Sequence, residues 1–236
     1  MRDAARTHER VLKVGFNHRF HPAVARAHEL AAAGAIGPLL SIRAAYGHGG
    51  RAGYEREWRA DPELSGGGEL LDQGVHVLDL CRWFLGEFSE VHGVVATSFW
   101  EIAPLEDNGF ALLRTAGGQV ASLHTSWTQW RNLFRFEVFG RDGWLAVEGL
   151  GGSYGTETLV HGTRRPEFGV PEEERFEFPG ADESWRLEWE ELRAAIAEGR
   201  DPSGSGDDGV EAARLVEAIY RSAHEGARVE LHEVLA

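Results

Sequence analysis

Apolar and polar positions change period along the chain, from helical near the start to strand-like in the middle and back to helical at the end. Residues 2–10 read as a short polar helix. VLKVGFN, residues 11–17, reads as a buried strand, and HRFHP breaks it before a helix over about residues 23–33 that stops at Gly34. Residues 38–48 are apolar enough for a strand. The basic, glycine-rich GHGGRAG of residues 47–53 then opens a long loop that ends at the triplet Gly66-Gly67-Gly68. Beyond a helix that runs up to Gly86, strand-like runs follow at 91–100, 109–115, 119–129, 134–140 and 144–148, with 159–162 and 175–178 as edge candidates. The turns Ala116-Gly117-Gly118 and Arg141-Asp142-Gly143 are short, so the strands they join should pair antiparallel. Ser184 caps a helix to about residue 197, closed by Gly199, and a last helix covers about residues 210–224.

Two of these elements carry more than backbone information. In the run 134–140, Phe134, Phe136 and Val138 share the side that can rest on helices. The other side, with aromatics drawn from Trp100, Trp127, Trp130 and Trp144, is apolar enough to suggest a sheet-mediated dimer, against an arrangement in which loops cover it. In the helix after the glycine triplet, ELLDQGVHVLDLCRWFLG, Asp72, His76, Asp79 and Trp83 fall in one narrow sector. The opposite arc is apolar, from Leu70 to Leu85. Asp72 and His76, at i and i+4, read either as a proton-handling pair or as a first-turn Asp facing the dipole beside a satisfied core histidine.

Composition narrows the classes. In 236 residues, Asp plus Glu number 38 against 24 Lys plus Arg, a formal charge of −14 that argues against nucleic acid or anionic membrane as partner. Cys81 is the sole cysteine, so no internal disulfide forms and a reducing, cytoplasmic setting is expected. No run approaches the roughly 18 apolar residues of a membrane span. Lys13 is the only lysine, and arginine cannot replace a lysine that must exchange a proton.

Two motifs are weighed and set aside. His18 and His21 lack a third ligand in a metal-binding pattern, so no metal site is assigned. GSGDDG, residues 204–209, matches G-x-G-x-x-G, but a helix rather than a strand precedes it, and Asp207 and Asp208 would repel a pyrophosphate. It reads better as a helix start with Asp208 as N-cap and Glu211 three residues on.

Four stretches, in order, resemble one family: VGFNHRFHPAVARA, IGPLLSIRAAYGH, WRADPELSGGGELLDQGVHVLDLCRWFLGE and DPSGSGDDGVEAARLVEAIYRSAHEGARVEL. Together they resemble the C-terminal part of the glucose–fructose oxidoreductase, inositol dehydrogenase and rhizopine-catabolism family, Gfo/Idh/MocA. The resemblance implies an α+β fold, an open, mostly antiparallel sheet with helices on one face. It implies residues 1–20 as a remnant of the last helix–strand of a Rossmann domain, and residues 21–236 as the substrate-binding and oligomerisation domain. It also implies an NAD- or NADP-dependent oxidoreductase acting on a sugar, cyclitol or related polyol, and a homo-oligomer formed through the sheet face. Carried over by position, His76 becomes the base and Asp72 orients substrate or imidazole, while Arg19, Trp58 and Arg59 become substrate-binding candidates.

The sequence departs from the family pattern in lacking the strand–glycine fingerprint–helix and the Glu-Lys-Pro motif that supplies the family's lysine. The cofactor fingerprint is therefore absent here, and the missing half is expected either from a separate Rossmann-domain chain or to be lost by truncation or a misplaced start. The alternative is a non-catalytic carbohydrate-binding or assembly module that kept the fold. A metal-dependent isomerase or lyase using the histidines ranks below both.

Overall fold

Period-two alternation and short glycine turns build one sheet from the middle of the chain. The computed structural model describes residues 1–167 and 169–231. In chain order the strands are β1 (Leu39–Gly47), β2 (Phe88–Ala96), β3 (Asn108–Thr115), β4 (Val120–Ser126), β5 (Leu133–Gly140), β6 (Gly143–Glu148), β7 (Glu157–Thr163), β8 (Glu172–Phe178) and β9 (Val229–Glu230). Their spatial order is β8-β7-β6-β5-β1-β4-β3-β2-β9. The pair β1–β4 is parallel, and the other pairs are antiparallel. The sheet is open, mostly antiparallel and α+β, as expected.

The helices are α1 (Arg2–Thr7), α2 (Pro22–Ala32), α3 (Pro62–Ser65), α4 (Val75–Leu85), α5 (Ser184–Glu198) and α6 (Gly206–Glu225). On one face of the sheet, α2 meets β6, β7 and β8, α4 meets β1, and α6 meets β2. Phe134, Phe136 and Val138 on that face are buried, and Phe136 packs against Phe84 of α4 with ring centroids 5.3 Å apart. Burying each such side chain stabilises the fold by about 1.5–3 kcal/mol. Helix α6 comes so close to β2 that only glycine fits at position 93, where a Cβ would stand 2.6 Å from Cγ2 of Ile219.

The other face is divided. Val94, Phe110 and Leu112 stay exposed on it. The glycine-rich loop covers a further part: Tyr54, Ile102, Leu105 and Trp127 form a satellite core, with Trp100 against it. Gly50, at φ +66°, lies against the Trp100 ring where a Cβ would clash, which is why the loop is glycine-rich there. Of the four tryptophans expected on this face, Trp127 is thus fully buried, while Trp130 is 62% exposed.

Three local expectations change. Residues 11–17 are not a buried strand; they make a single bridge, Lys13 to Ser205, and Val11 is 43% exposed. Among the described residues the segment has only the loop before α6 to pair with, through Val14 N–H to Gly204 O and Gly206 N–H to Leu12 O. The capping box of α6 lies three residues earlier than read from the sequence: Ser205 is the N-cap and Asp208 the third helical residue, because Asp208 must also reach Arg19 and Arg82. Ser184 is not a cap either. It begins α5 as its first residue, its N–H donates to Asp182, and its buried hydroxyl accepts from Asn17.

Candidate functional site

The stretch from Gly66 to Gly86 is the frame of the site. Gly66 takes φ +74° to end α3, and Gly68 is pressed so closely to Glu106 that a Cβ would lie 2.1 Å from its carbonyl oxygen. Glu106 holds the start of the next turn, accepting from Glu69 N–H on its carbonyl and from Leu70 N–H and Tyr220 O–H on its carboxylate. Leu70–Gly74 is then a π-helical turn rather than an α-helical one, and α4 follows it. Gly74 allows this wider turn to sit on β4, with Thr125 Oγ1 only 2.9 Å from where a Cβ would be.

The π turn changes the relation between the two residues singled out from spacing. A wider turn breaks the α-helical register, so Asp72 does not contact His76; it accepts instead from Arg59 Nε at 3.1 Å. Both still line one cavity of about 450 Å³, together with Arg59, His18, His21 and Tyr46. That volume falls within the roughly 300–1,000 Å³ of small-molecule sites. Arg59 stacks over Trp58 at 4.4 Å, and Trp58 itself is half exposed outside the lining.

Arg19 lies elsewhere. It is buried, and forms a two-pronged pair with Asp79 at 2.5 and 2.7 Å beneath α4, with Asp208 at 3.3 Å on the far side. Asp79, placed by spacing in the same sector as Asp72, is therefore a structural partner and not part of the cavity.

Three imidazoles form the floor. The rings of His18 and His76 stack with centroids 4.3 Å apart, and His21 lies 5.6 Å from His18. His21 Nδ1 is 2.7 Å from Glu157, which also accepts from Ala23 N–H and so fixes the start of α2. Burial, reinforced by His21, pushes His76 down to about 4. Burial also holds His18 well below the ordinary histidine value, with His76 and His21 adding to the effect. His76 Nδ1 is sealed and without a partner, which leaves Nε2 to the cavity.

His18 and His76 are thus neutral at pH 7, and of the two carboxylates that line the cavity, Asp72 is paired with Arg59 and Asp182 accepts from Ser184 N–H. Above it stand Tyr46 and Tyr154, both held protonated by burial, and the loop Gly151-Gly152-Ser153. A small polar cavity lined by hydroxyl, imidazole and paired charged groups suits hydroxyl groups. A slightly larger concavity of about 500 Å³, at Arg82, Glu87, Asp207 and Arg214, is bordered by charges already paired to one another or to Arg6 and Glu211, and gathers no such cluster.

The buried histidines make stability depend on pH with a definite sign. In the unfolded chain an imidazole titrates near 6.5. His76 in the fold does so near 4, so between those values the unfolded state holds more protons. Stability is full above pH 6.5 and falls as pH drops through the window, by at most about 3 kcal/mol for His76, since the ring is partly open to the cavity. His76→Phe should flatten the stability-versus-pH curve between pH 6.5 and 4 relative to wild type in urea titrations.

Tyr46, Tyr154, Asn17 and Glu69 were not singled out from the sequence. Glu69 is fully buried next to Asp72, and burial, with the charges of Asp72 and Glu106, raises its carboxyl well above the usual range. The one legible hint of the Tyr154 loop was its run of glycines, Gly149 to Gly155. Among the described residues no three His, Cys, Asp or Glu are placed to share a metal ion. A dinucleotide does not fit the 204–209 stretch: Asp207 pairs with Arg6, and Asp208 closes the cap of α6.

The GFO/IDH/MocA C-terminal domain model matches residues 24–146, more than half of the chain. The chain belongs to the Gfo/Idh/MocA family. Levoglucosan dehydrogenase of Pseudarthrobacter phenanthrenivorans is 28% identical, over all of this chain and 70% of its own length. D-xylose 1-dehydrogenase (NADP(+)) 2 of Haloferax volcanii is 27% identical, over 93% of this chain and 64% of its own length. Among solved structures, levoglucosan dehydrogenase in complex with NADH and L-sorbose superimposes with a TM-score of 0.86 at 25% identity, covering 100% of this chain and 70% of that one. This Gfo/Idh/MocA chain thus corresponds to about two thirds of such enzymes, and no helix among its described residues is long and apolar enough to cross a membrane.

Proposed function

We propose that the chain is the substrate-binding half of an NAD(P)-dependent oxidoreductase acting on a sugar, cyclitol or related polyol. The observation that carries this reading is the cavity at His76, Asp72, Arg59 and Tyr46: polar, lined by hydroxyl-binding groups, and built on the π turn and helix that carry Asp72 and His76. Relatives named for sugars support it, and one of their structures holds NADH.

The residues divide the work as follows. Asp72, fixed by Arg59, accepts from one substrate hydroxyl, while the Arg59 guanidinium keeps that carboxylate aimed. His76 presents Nε2 to the reacting hydroxyl as a neutral acceptor and takes its proton during oxidation. Tyr46 and Tyr154 remain donors across the working pH range. A nicotinamide cofactor would supply the hydride acceptor in such enzymes; the strand–glycine fingerprint–helix that would hold it does not occur within residues 1–236.

A binding module that kept the fold without catalysis is the second reading. Turnover separates the two. Purified 236-residue chain should show no NAD(P)H formation with levoglucosan, D-xylose or myo-inositol. A nucleotide-binding domain carrying a glycine fingerprint and Glu-Lys-Pro should restore turnover on mixing. Robust turnover by the chain alone contradicts the proposal, and none after mixing favours the module.

A further inference from the structure

His21 is set into the cavity floor in a way that its place ahead of α2 does not require. Its carbonyl accepts from Ala25 N–H and Pro22 follows it, so the chain is fixed there. Its Nδ1 lies 2.7 Å from Glu157 Oε1, and the two side chains are 3% and 4% exposed. The second oxygen of Glu157 accepts from Ala23 N–H at 3.2 Å. Gly151, in the loop above the cavity, passes over the carboxylate, with Oε1 3.6 Å from where a Cβ would stand.

Both oxygens of Glu157 thus accept, and Nδ1 of His21 carries a proton. The other ring nitrogen, Nε2, has no hydrogen-bond partner among the described residues. Unlike His18 Nε2 and His76 Nδ1 it is not sealed, so it opens onto the cavity that His21 lines. Acid–base chemistry uses this arrangement, because a carboxylate behind one nitrogen orients the ring and stabilises the imidazolium while the other nitrogen reacts. His76 has no such support: its Nδ1 is sealed without a partner, and Asp72 is turned to Arg59. Holding the start of α2 accounts for the Ala23 bond to Glu157. It does not account for an oriented imidazole open to the cavity.

We propose that His21, backed by Glu157, is the proton acceptor that relieves His76 after the reacting hydroxyl has been deprotonated. The inference rests on the polyol oxidoreductase reading above and adds a second proton-handling residue to it. The hydroxyl O–H breaks and its proton bonds to His76 Nε2, while the carbon-bound hydrogen leaves with its electron pair as hydride to the nicotinamide. The N–H on His76 then breaks and one forms on His21 Nε2, across a water or a second hydroxyl in the cavity. His76 is neutral again, and the positive charge faces Glu157. His18, with its ring 4.3 Å from His76 and 5.6 Å from His21, is a spacer here, since its own Nε2 is sealed.

Two measurements test this. The first is nitrogen-15 NMR of the imidazoles in the 236-residue chain. Neutral His21 should hold its proton on Nδ1; a proton on Nε2 overturns the inference, because that nitrogen then has no lone pair to offer. The second is turnover in enzyme reconstituted with a nucleotide-binding domain. Glu157→Gln should lower kcat about tenfold at unchanged KM, and His21→Ala about a hundredfold, the low end for a positioned acid–base group. Imidazole added to the buffer should restore much of the kcat lost in His21→Ala, a rescue that a merely packing residue does not give. Undiminished kcat in either variant, or a loss in His21→Ala that imidazole leaves untouched, overturns the inference alone. No turnover by wild type after mixing overturns the oxidoreductase reading and this inference with it.

Discussion

Asp79→Ala should lower the stability of the chain by about 3–5 kcal/mol in urea unfolding at pH 7. The cause is the arginine left behind. Arg19 and Asp79 are 4% and 1% exposed in their side chains, and the pair is two-pronged at 2.5 and 2.7 Å. Removing the carboxylate strands a guanidinium that cannot deprotonate, sandwiched between Phe16 and Trp83. Among the described residues Asp208, at 3.3 Å, is its only remaining carboxylate in contact, and that group is already shared with Arg82 at 2.6 Å. Replacing both members by apolar residues, Arg19→Met with Asp79→Leu, should recover most of the loss, since the cost lies in the unpaired charge and not in the missing bond. A loss under about 1 kcal/mol in the single variant would show that Asp208 takes over the arginine.

The second large effect is on chemistry. In enzyme reconstituted with a nucleotide-binding domain, His76→Ala should lower kcat by about a hundredfold or more, the usual worth of a positioned acid–base group. The pH profile sharpens the test. Because burial pushes His76 down to about 4, the acid limb it contributes to kcat/KM should lie near that value, with no limb near 6.5. Near-normal kcat in the variant removes His76 from the proton-transfer role. A limb at 6.5 that the variant abolishes would mean the imidazole is solvated in the assembled enzyme.

Much of this was legible in the sequence, for reasons that can be named. Alternation in residues 134–140 and short glycine turns fixed the middle strands, because burial on one face leaves a period that survives in one dimension. The parallel β1–β4 pair and the two-residue β9 left no such trace, since long-range pairing depends on neighbours far away in sequence. At the site, the identities of Asp72 and His76 were readable but their relation was not. Helical spacing put both in one sector, and the π turn of Leu70–Gly74, packed against Glu106 and Thr125, leaves Asp72 paired with Arg59 instead of the imidazole. Arg19 was misplaced for a similar reason. The family resemblance carried by VGFNHRFHPAVARA makes it a pocket candidate, and only the packing of α4 and α6 shows it answering Asp79 and Asp208. His18 was weighed as a metal ligand, when its surroundings make it a neutral ring beside Asn17.

Those placements converge on one claim, that the cavity floored by His18, His21 and His76 holds a polyol. Titrating levoglucosan, D-xylose and myo-inositol into imidazole-labelled chain, with the histidine NMR signals as readout, tests it most directly. The account predicts that at least one of the three shifts the signals of His18 and His76 saturably while leaving His161, out on β7, unmoved. Absence of any saturable shift at His18 and His76 with all three would contradict it.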